Sequence, residues 1–128
     1  MDENELSNKI IGAALEVHKA LGPGLIESAY QACLCQELKL QGLAIEKEKD
    51  LPVEYKGIKL DCGYRMDIVV EGKVVVEVKS LEKVLGIHEA QLLTYLKLTG
   101  MKLGLLINFN TEMLRHGIKR IVLGLEEK

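Results

Sequence analysis

The sequence predicts an α/β or α+β fold in which helices cover the faces of a central sheet. Two segments near the start of the chain repeat their apolar residues at helical spacing. From residue 45 onwards the chain changes to short β-type runs separated by turn residues, and a third helical segment follows them. Because an apolar sheet needs cover, this order of elements indicates helices packed against strands.

Two consecutive helices are predicted before the first strand. The first covers residues 4–21, and the Gly-Pro-Gly segment at 22–24 ends it. The second covers residues 25–40 and ends before Gly42.

The β-type region predicts three antiparallel strands in a meander, near residues 45–55, 58–70 and 73–79. The turns between them lie at residues 56–57 and 71–72, each of which ends in glycine.

The last third of the chain predicts a helix and at least one more strand. The helix covers residues 87–98 and ends at Gly100, and the apolar run 102–109 is typical of a strand covered on both faces. The segment 116–123 fits either an edge strand or a turn followed by a strand. The predicted order is therefore α-α-β-β-β-α-β, with one further strand where this last segment is extended.

Length and charge limit the classes of function. With 128 residues, of which 48% are hydrophobic, the chain suits a single domain over residues 1–128. Its formal net charge of −2 provides no overall basic field for nucleic acid. Any binding of nucleic acid must then come from a local patch or a metal.

The three cysteines, Cys33, Cys35 and Cys62, are an odd number and lack the spacing of zinc ligands, so we interpret them as small apolar side chains. The sequence shows no signal peptide and no long apolar span, which predicts no association with a membrane. Together these features predict a cytoplasmic protein.

A valine-rich hairpin, MDIVVEGKVVVEVKS at residues 66–80, carries charges that an ordinary buried hairpin would lack. In a covered strand an ionised side chain costs on the order of several kcal/mol unless it is paired or bound to a metal. Glu77 and Lys79 lie two residues apart, so both point to the same face of their strand. These charges therefore need partners.

The turn of this hairpin decides whether Asp67 joins them. A two-residue loop at 71–72 would set Asp67 opposite Val76 and on the other face from Glu77. A three-residue loop, or a bulge, would set Asp67 opposite Glu77 with about 5.5 Å between the Cα atoms. A chemical site requires the second register, and we predict it against the commoner turn.

In that register Asp67, Glu77 and Lys79 converge on one patch. Two carboxylates this close repel each other, and a hard cation such as Mg²⁺ or Mn²⁺ relieves the repulsion through its oxygen ligands. Such a cation can activate water for attack on a phosphodiester. Lys79 would hold that water or stabilise the transition state.

These residues resemble a known signature. Asp67, followed ten positions on by Glu77-Val78-Lys79, resembles the D-x(n)-(D/E)-x-K pattern of the PD-(D/E)XK nuclease superfamily. GLIESAY at 24–30 resembles the motif of the GxxExxY protein family, a branch of that superfamily, and QLLTY at 91–95 resembles the QxxxY motif of its RecB-like and lambda-exonuclease-like branches. The resemblance implies a restriction-endonuclease-like αβββαβ core, a central mixed sheet flanked by helices, with an extra N-terminal helix.

The resemblance also implies roles for the charged residues of the hairpin. Asp67 and Glu77 match the metal-binding carboxylates, the backbone carbonyl of Val78 matches a further metal ligand, and Lys79 matches the catalytic lysine. Met66 stands where the superfamily name has proline.

The helices supply the other catalytic matches. Glu27 matches an acidic residue that completes the site, often through a metal-bound water. Gln91 and Tyr95 lie one helical turn apart and match residues that position water, phosphate or the nucleic-acid strand.

Three more residues are candidates for binding substrate. Tyr30 shares the helical face of Glu27 and can hydrogen-bond to its carboxylate, Arg65 lies two residues from Asp67, and His88 shares the helical face of Gln91.

Each candidate also has a structural interpretation, as a helix-end charge, a core side chain or an ion pair. These interpretations are a helix-dipole carboxylate at Glu27, a core aromatic at Tyr30, an Asp67–Arg65 salt bridge, an exposed Glu77–Lys79 pair, a polar helix start at His88, and an exposed amide and a half-buried aromatic at Gln91 and Tyr95. These candidate residues occur together, each in its expected helix or strand, and this conjunction favours a functional site.

Two functions are consistent with these observations. One is a metal-dependent nuclease that uses Mg²⁺ or Mn²⁺ and hydrolyses phosphodiester bonds, with DNA favoured over RNA. The other is a non-catalytic module on the same scaffold that binds nucleic acid or protein. Nucleic acid is the expected partner in the first case, and a homo-oligomer or a protein partner stays open in both.

Overall fold

The computed structural model describes residues 1–126, which form three α-helices, seven strands and one 3-10 helix. In chain order they are α1 (Glu3–Leu21), α2 (Glu27–Leu40), β1 (Ile45–Asp50), β2 (Val53–Tyr55), β3 (Ile58–Leu60), β4 (Arg65–Val70), β5 (Val74–Lys79), α3 (Gly86–Thr99), β6 (Leu103–Asn108), the 3-10 helix (Leu114–Gly117) and β7 (Ile118–Val122).

Five of the strands form one mixed sheet in the order β1-β4-β5-β6-β7. The pair β5–β6 is parallel because α3 makes the crossover between them, and the other three pairs are antiparallel. This α+β arrangement confirms the predicted fold class and is compatible with the restriction-endonuclease-like core.

The two long strands predicted at 45–55 and 58–70 are each divided in two. Their outer halves, β2 and β3, leave the main sheet and form a separate two-stranded hairpin. Pro52 has no backbone N–H to continue the first strand, and Gly63, with φ of 75°, bends the second. A hydrogen bond from Leu51 N to Tyr64 O, 2.8 Å long, closes the base of this hairpin.

The segment 116–123 resolves to the second of its two predicted forms, a turn followed by a strand. The 3-10 helix Leu114–Gly117 supplies the turn, and β7 then pairs with β6 at the edge of the sheet.

The sheet has a hydrophobic core on each face. Ile68 and Val76 belong to the cluster that packs against α1 and α2. Val69 and Val75 belong to the cluster on the opposite face, where they meet Leu92 of α3. The alternation of side chains along β4 and β5 thus assigns each residue to one of the two helical layers.

The loop between α1 and α2 is held by Tyr30, which is fully buried. Its hydroxyl donates to Gly22 O over 2.5 Å and accepts from Leu25 N over 3.1 Å. Its ring stacks on Phe109 of the β6–β7 connection, with 4.6 Å between centroids and 7° between planes. The start of α2 is therefore fixed relative to the sheet.

The three cysteines are free, and their burial differs. Cys35 is buried, and burial raises the pKa of its thiol, in agreement with an apolar role. Cys62 is exposed, which corrects the prediction for that residue. Among the described residues, no helix combines the length and apolar character needed to cross a membrane.

A glycine at the end of the 3-10 helix, directly before β7, provides a stability test. A Cβ at Gly117 would overlap the carbonyl oxygen of Asn108, whereas a Cβ at Gly12, on the exposed side of α1, would meet nothing within 4 Å. We expect Gly117→Ala to lower the free energy of unfolding by about 1–3 kcal/mol, because the backbone must shift. Gly12→Ala, the matched control, should raise it by roughly 0.5–1 kcal/mol. Urea unfolding measures both, and a Gly117→Ala protein as stable as the wild type would contradict the packing described.

Candidate functional site

The register of the β4–β5 hairpin brings two acidic residues together. The ladder pairs Ile68 with Val76, so the next residues outwards, Asp67 and Glu77, lie opposite each other. The loop at 71–73 has three residues, as this register requires, and its first two residues have positive φ. The predicted register is confirmed.

Beyond the last backbone pair, the two carboxylates take the place of backbone carbonyls as hydrogen-bond acceptors. Asp67 N donates to Glu77 Oε2 over 2.8 Å, and Val78 N donates to Asp67 Oδ2 over 2.8 Å. Each carboxylate thus binds the backbone of the opposite strand through one oxygen. The second oxygen of each, Oδ1 and Oε1, takes no part in these two bonds and is available to a cation.

Both carboxylates are hard to ionise in this position. Glu77 is only 4% exposed, and burial, followed by the negative charge of Asp67, raises the pKa of Glu77 to about 8. Burial also raises the pKa of Asp67, against the opposing effects of the Val78 N–H and the charge of Lys79. The pair would hold two negative charges only with additional positive charge beside it.

Lys79 supplies part of that charge. It lies two residues after Glu77 on the same face of β5, and its ammonium lowers the pKa of both Asp67 and Glu77, although less than burial raises them. Because Glu77 is buried, the alternative of an exposed Glu77–Lys79 ion pair does not apply.

Helix α2 brings a third carboxylate to the end of β5. Glu27 is the first residue of α2, and its Oε1 accepts a hydrogen bond from Ser80 N over 3.4 Å. Ser80 Oγ in turn donates to Leu25 O over 2.5 Å, which ties the α1–α2 loop to the segment after β5. The charge of Glu27 contributes to the raised pKa of Asp67, so Glu27 faces the site.

Two residues at the site were missed by the sequence analysis. Gln31 Nε2 donates to Glu48 Oε1 over 2.9 Å and to the carbonyl oxygen of Asp67 over 3.2 Å. Glu48 lies beside Asp67 in the β1–β4 ladder with φ of 53°, and its charge raises the pKa of both Asp67 and Glu77. Four acidic side chains therefore surround this end of the hairpin.

The signals for these two residues differ in strength. Gln31 follows Glu27 by four residues, one helical turn, and is a buried polar side chain, so its spacing could have identified it. Glu48 belongs to the alternating charges of IEKEKD at 45–50, where nothing in the sequence separates it from Glu46.

Helix α3 brings Tyr95 close to the two carboxylates. Tyr95 is 5% exposed, and burial, with the charges of Glu77 and Asp67 acting in the same direction, raises its pKa to about 12. Its hydroxyl therefore keeps its proton at neutral pH and can donate a hydrogen bond. Gln91, one turn earlier, is half-buried, and together with Tyr95 it lines a groove along the side of α3.

His88 fits its structural interpretation, a polar residue at the start of a helix, and its contact with substrate stays a prediction. Its ring Nδ1 accepts a hydrogen bond from the backbone N–H of Leu85 over 2.9 Å, and the backbone N–H of His88 donates to Leu85 O over 3.0 Å. His88 therefore caps the start of α3. An accepting Nδ1 places the proton of the neutral ring on Nε2. His88 also lines the groove beside Gln91, where that N–H is a potential donor.

Two predicted substrate-binding residues have partners other than those considered in the sequence analysis. Tyr30 is fully buried and its hydroxyl binds the α1–α2 loop rather than Glu27, so contact with substrate does not fit its position. Arg65 pairs with Asp50 across the β1–β4 ladder, 3.3 Å apart and largely exposed, rather than with Asp67. Its guanidinium remains at the surface, at the start of the strand that carries Asp67.

The donor set suits a divalent cation held partly by the protein. Among the residues that the structure describes, no group of three or more His, Cys, Asp or Glu side chains is arranged to hold a metal. Mg²⁺ is commonly held by one or two carboxylates, with water and substrate phosphate completing its shell. Two adjacent carboxylates with raised pKa and one free oxygen each fit that pattern.

Comparison with known proteins identifies the chain. A family model described as PD-(D/E)XK nuclease superfamily matches residues 4–121, which include every residue of the site described above. A search of curated proteins gave no match, and neither did a search of solved structures.

The buried carboxyl group of Glu77 makes stability depend on pH. Glu77 has a pKa of about 8 in the fold and an ordinary value of 4.5, so its contribution to stability is complete below about pH 4.5 and is lost as the pH rises towards 8. The side chain of Glu77→Gln stays neutral at every pH. In EDTA, the free energy of unfolding of this variant, relative to that of the wild type, should therefore rise by on the order of a few kcal/mol between pH 5 and 9.

Urea unfolding at pH 5, 7 and 9 tests this expectation. Glu16→Gln, at an exposed position of α1, is the matched control and should follow the wild type at every pH. Parallel pH profiles for Glu77→Gln and the wild type would show that Glu77 is not the buried acid described.

Proposed function

Since this chain belongs to the PD-(D/E)XK nuclease superfamily, we propose that it is a metal-dependent nuclease that hydrolyses phosphodiester bonds, with DNA favoured over RNA. One observation carries the proposal: the half-buried Asp67 and the buried Glu77 lie opposite each other, with Lys79 on the same face as Glu77. A binding module would have no need for acidic groups that oppose its own folding.

We place the chain in the GxxExxY branch of the superfamily, and the three motif residues each have a structural reason that supports this. Gly24 has φ of 102°, which other residues rarely adopt, Glu27 bonds to Ser80 N, and Tyr30 anchors the loop before α2. The QxxxY assignment is supported by Gln91 and Tyr95, which face the same groove. We also take residues 1–128 as one nuclease domain, and its free cysteines support a cytoplasmic location.

The proposed cofactor is Mg²⁺ or Mn²⁺. Asp67, Glu77 and the backbone carbonyl of Val78 would hold it, and Glu27 would contribute through a water molecule. When bound, such a cation supplies positive charge against the scissile phosphate and lowers the pKa of water.

The chain's own residues would orient and stabilise the reacting groups. The Lys79 ammonium, on the face of β5 that carries Glu77, would stabilise the charge that develops on the phosphate oxygens. The protonated hydroxyl of Tyr95 and the amide of Gln91 would donate hydrogen bonds to the strand or to water. Gln31 would keep Asp67 and Glu48 in place through its two hydrogen bonds.

His88 and Arg65 would act on the substrate backbone. The free Nε2–H of His88 would donate to a phosphate oxygen, and the exposed guanidinium of Arg65 would attract the strand electrostatically.

A non-catalytic module that binds protein is the second candidate, and one observation favours it. The β2–β3 hairpin exposes Tyr55, Ile58 and Leu60, which together give an apolar surface outside the main sheet. A protein partner or a second copy of the chain would fit such a surface. This candidate and the nuclease differ in what they predict for the carboxylate pair.

Cleavage assays test the nuclease directly. With Mg²⁺ or Mn²⁺, the wild type should cleave labelled DNA, and Asp67→Asn and Lys79→Ala should each lower the rate by at least about 100-fold, because each removes charge that acts on the reacting phosphate. Lys9→Ala, at an exposed position of α1, should retain the wild-type rate.

The substrates should be linear, circular, single-stranded and duplex DNA, with matching RNA. Activity that survives in both site variants would come from a contaminant. A wild-type protein that leaves every substrate intact would favour the binding module.

Metal binding is tested separately from cleavage. At pH 7.5 a Mn²⁺ concentration of 100 times Kd should raise the free energy of unfolding of the wild type by about 2.7 kcal/mol. Asp67→Asn keeps an oxygen for the Val78 N–H and removes the charge, so it should abolish this increase. Calorimetry and thermal unfolding measure the effect.

Lys79→Ala serves as the control for metal binding, since it removes a positive charge and leaves both carboxylates. It should bind Mn²⁺ at least as tightly as the wild type. Equal Mn²⁺ binding by Asp67→Asn and the wild type would exclude Asp67 as a ligand.

A further inference from the structure

A groove of about 620 Å³ runs along the side of α3. One wall is the chain around the β2–β3 hairpin, with Leu51, Val53 and Tyr64, and the other is α3, with Gln91, Thr94 and Tyr95. We refer to it as the α3 groove. Neither Tyr64 nor the groove was anticipated from the sequence.

Tyr95 links the α3 groove to the carboxylate site. Tyr95 forms part of the groove and belongs to the same buried cluster as Val75, the residue two before Glu77 on the same face of β5. Tyr64 lies three residues before Asp67, and its carbonyl oxygen is fixed by Leu51 N over 2.8 Å. Burial raises the pKa of Tyr95, and the charges of Glu77 and Asp67 raise it further, which agrees with this proximity.

The lining of the groove suits a flat heterocycle with polar edges. Leu51 and Val53 are apolar, and the ring of Tyr64, 46% exposed, forms an aromatic surface at the opening. Gln91 and Thr94 add groups that can donate or accept hydrogen bonds. No lysine or arginine is among the described residues that line it, so, beyond the ring N–H of His88, the lining favours a base over a phosphate.

We propose that the α3 groove binds one unpaired base of the substrate strand, stacked on Tyr64, next to the phosphate that the carboxylate site addresses. This inference rests on the proposed function, which sets the position of the strand. A base can enter only if it leaves its duplex, since a paired base is held between its neighbours. The substrate class is therefore single-stranded DNA or DNA with an unpaired segment.

A fluorescent base analogue tests the inference without catalysis. Single-stranded oligonucleotides with 2-aminopurine at successive positions are titrated with protein in EDTA, and fluorescence and affinity are measured. The wild type should quench one position by stacking. Tyr64→Ala should lose the quenching and bind about 10-fold more weakly, the size of a single base–aromatic stack.

Two variants control for structure and for general surface effects. Tyr64→Phe keeps the ring and should retain both the quenching and the affinity. Leu15→Ala removes another large apolar side chain with the same 46% exposure as Tyr64, on α1 and outside the groove lining, and should behave as the wild type. Thermal unfolding confirms that each variant is folded. If Tyr64→Ala binds and quenches as well as Leu15→Ala, or if the wild type quenches at no position, the inference is overturned.

Cleavage of single-stranded and duplex DNA by the same variants separates this inference from the proposed function. Faster cleavage of single strands, lost in Tyr64→Ala, supports both. Equal cleavage of both forms with no effect of Tyr64→Ala overturns the groove inference and leaves the nuclease. Stacking on Tyr64 without cleavage of any substrate overturns the nuclease and leaves a protein that binds unpaired bases.

Discussion

Two hydrogen bonds between carboxylates and the backbone of the opposite strand hold the open end of the β4–β5 hairpin. Asp67 binds Val78 N and Glu77 binds Asp67 N, so each acid replaces a partner that the backbone ladder would otherwise supply. The bonds satisfy buried N–H groups at the point where the strands separate. They also fix two acidic groups side by side in a place where water is scarce. The position of the site and its electrostatics both follow from this arrangement.

The surrounding structure holds this arrangement in place and adds to its charge. Helix α2 begins where Tyr30 fixes the preceding loop, and this brings Glu27 to Ser80 and Gln31 to the backbone of Asp67. Glu48 adds another negative charge from β1. The backbone N–H bonded to each acid lowers its pKa, and the charge of Lys79 lowers the pKa of both. A cluster of this kind lowers the stability of the fold at neutral pH and gains from any cation that binds, so stability and the proposed function act against each other at the same residues.

Much of the fold could be predicted because its determinants are local. The helices follow from apolar spacing and from the glycines at 22, 24, 42 and 100, and the hairpin register follows from the requirement that Asp67 and Glu77 share a face. The strands at 45–55 and 58–70 were predicted too long, because the sequence shows extended segments but not the sheet to which each half belongs. The role of Tyr30 was also misjudged. Its distance from Glu27 is a helical spacing, whereas its partners, Gly22 and Phe109, are set by the packing of α2 on the sheet.

The sequence by itself determined the order of the helices and of the strands in the main sheet, and the charges of the hairpin, since the period of a helix or strand assigns residues to faces without knowledge of what covers them. Only the tertiary structure decided which other polar side chains reach those charges. Gln31 and Glu48 lie 17 residues apart and meet because α2 packs beside β1. The wall of the α3 groove formed by Tyr64 exists because β2 and β3 leave the main sheet. Such contacts depend on how separate elements pack, and no short stretch of sequence encodes the distance between them.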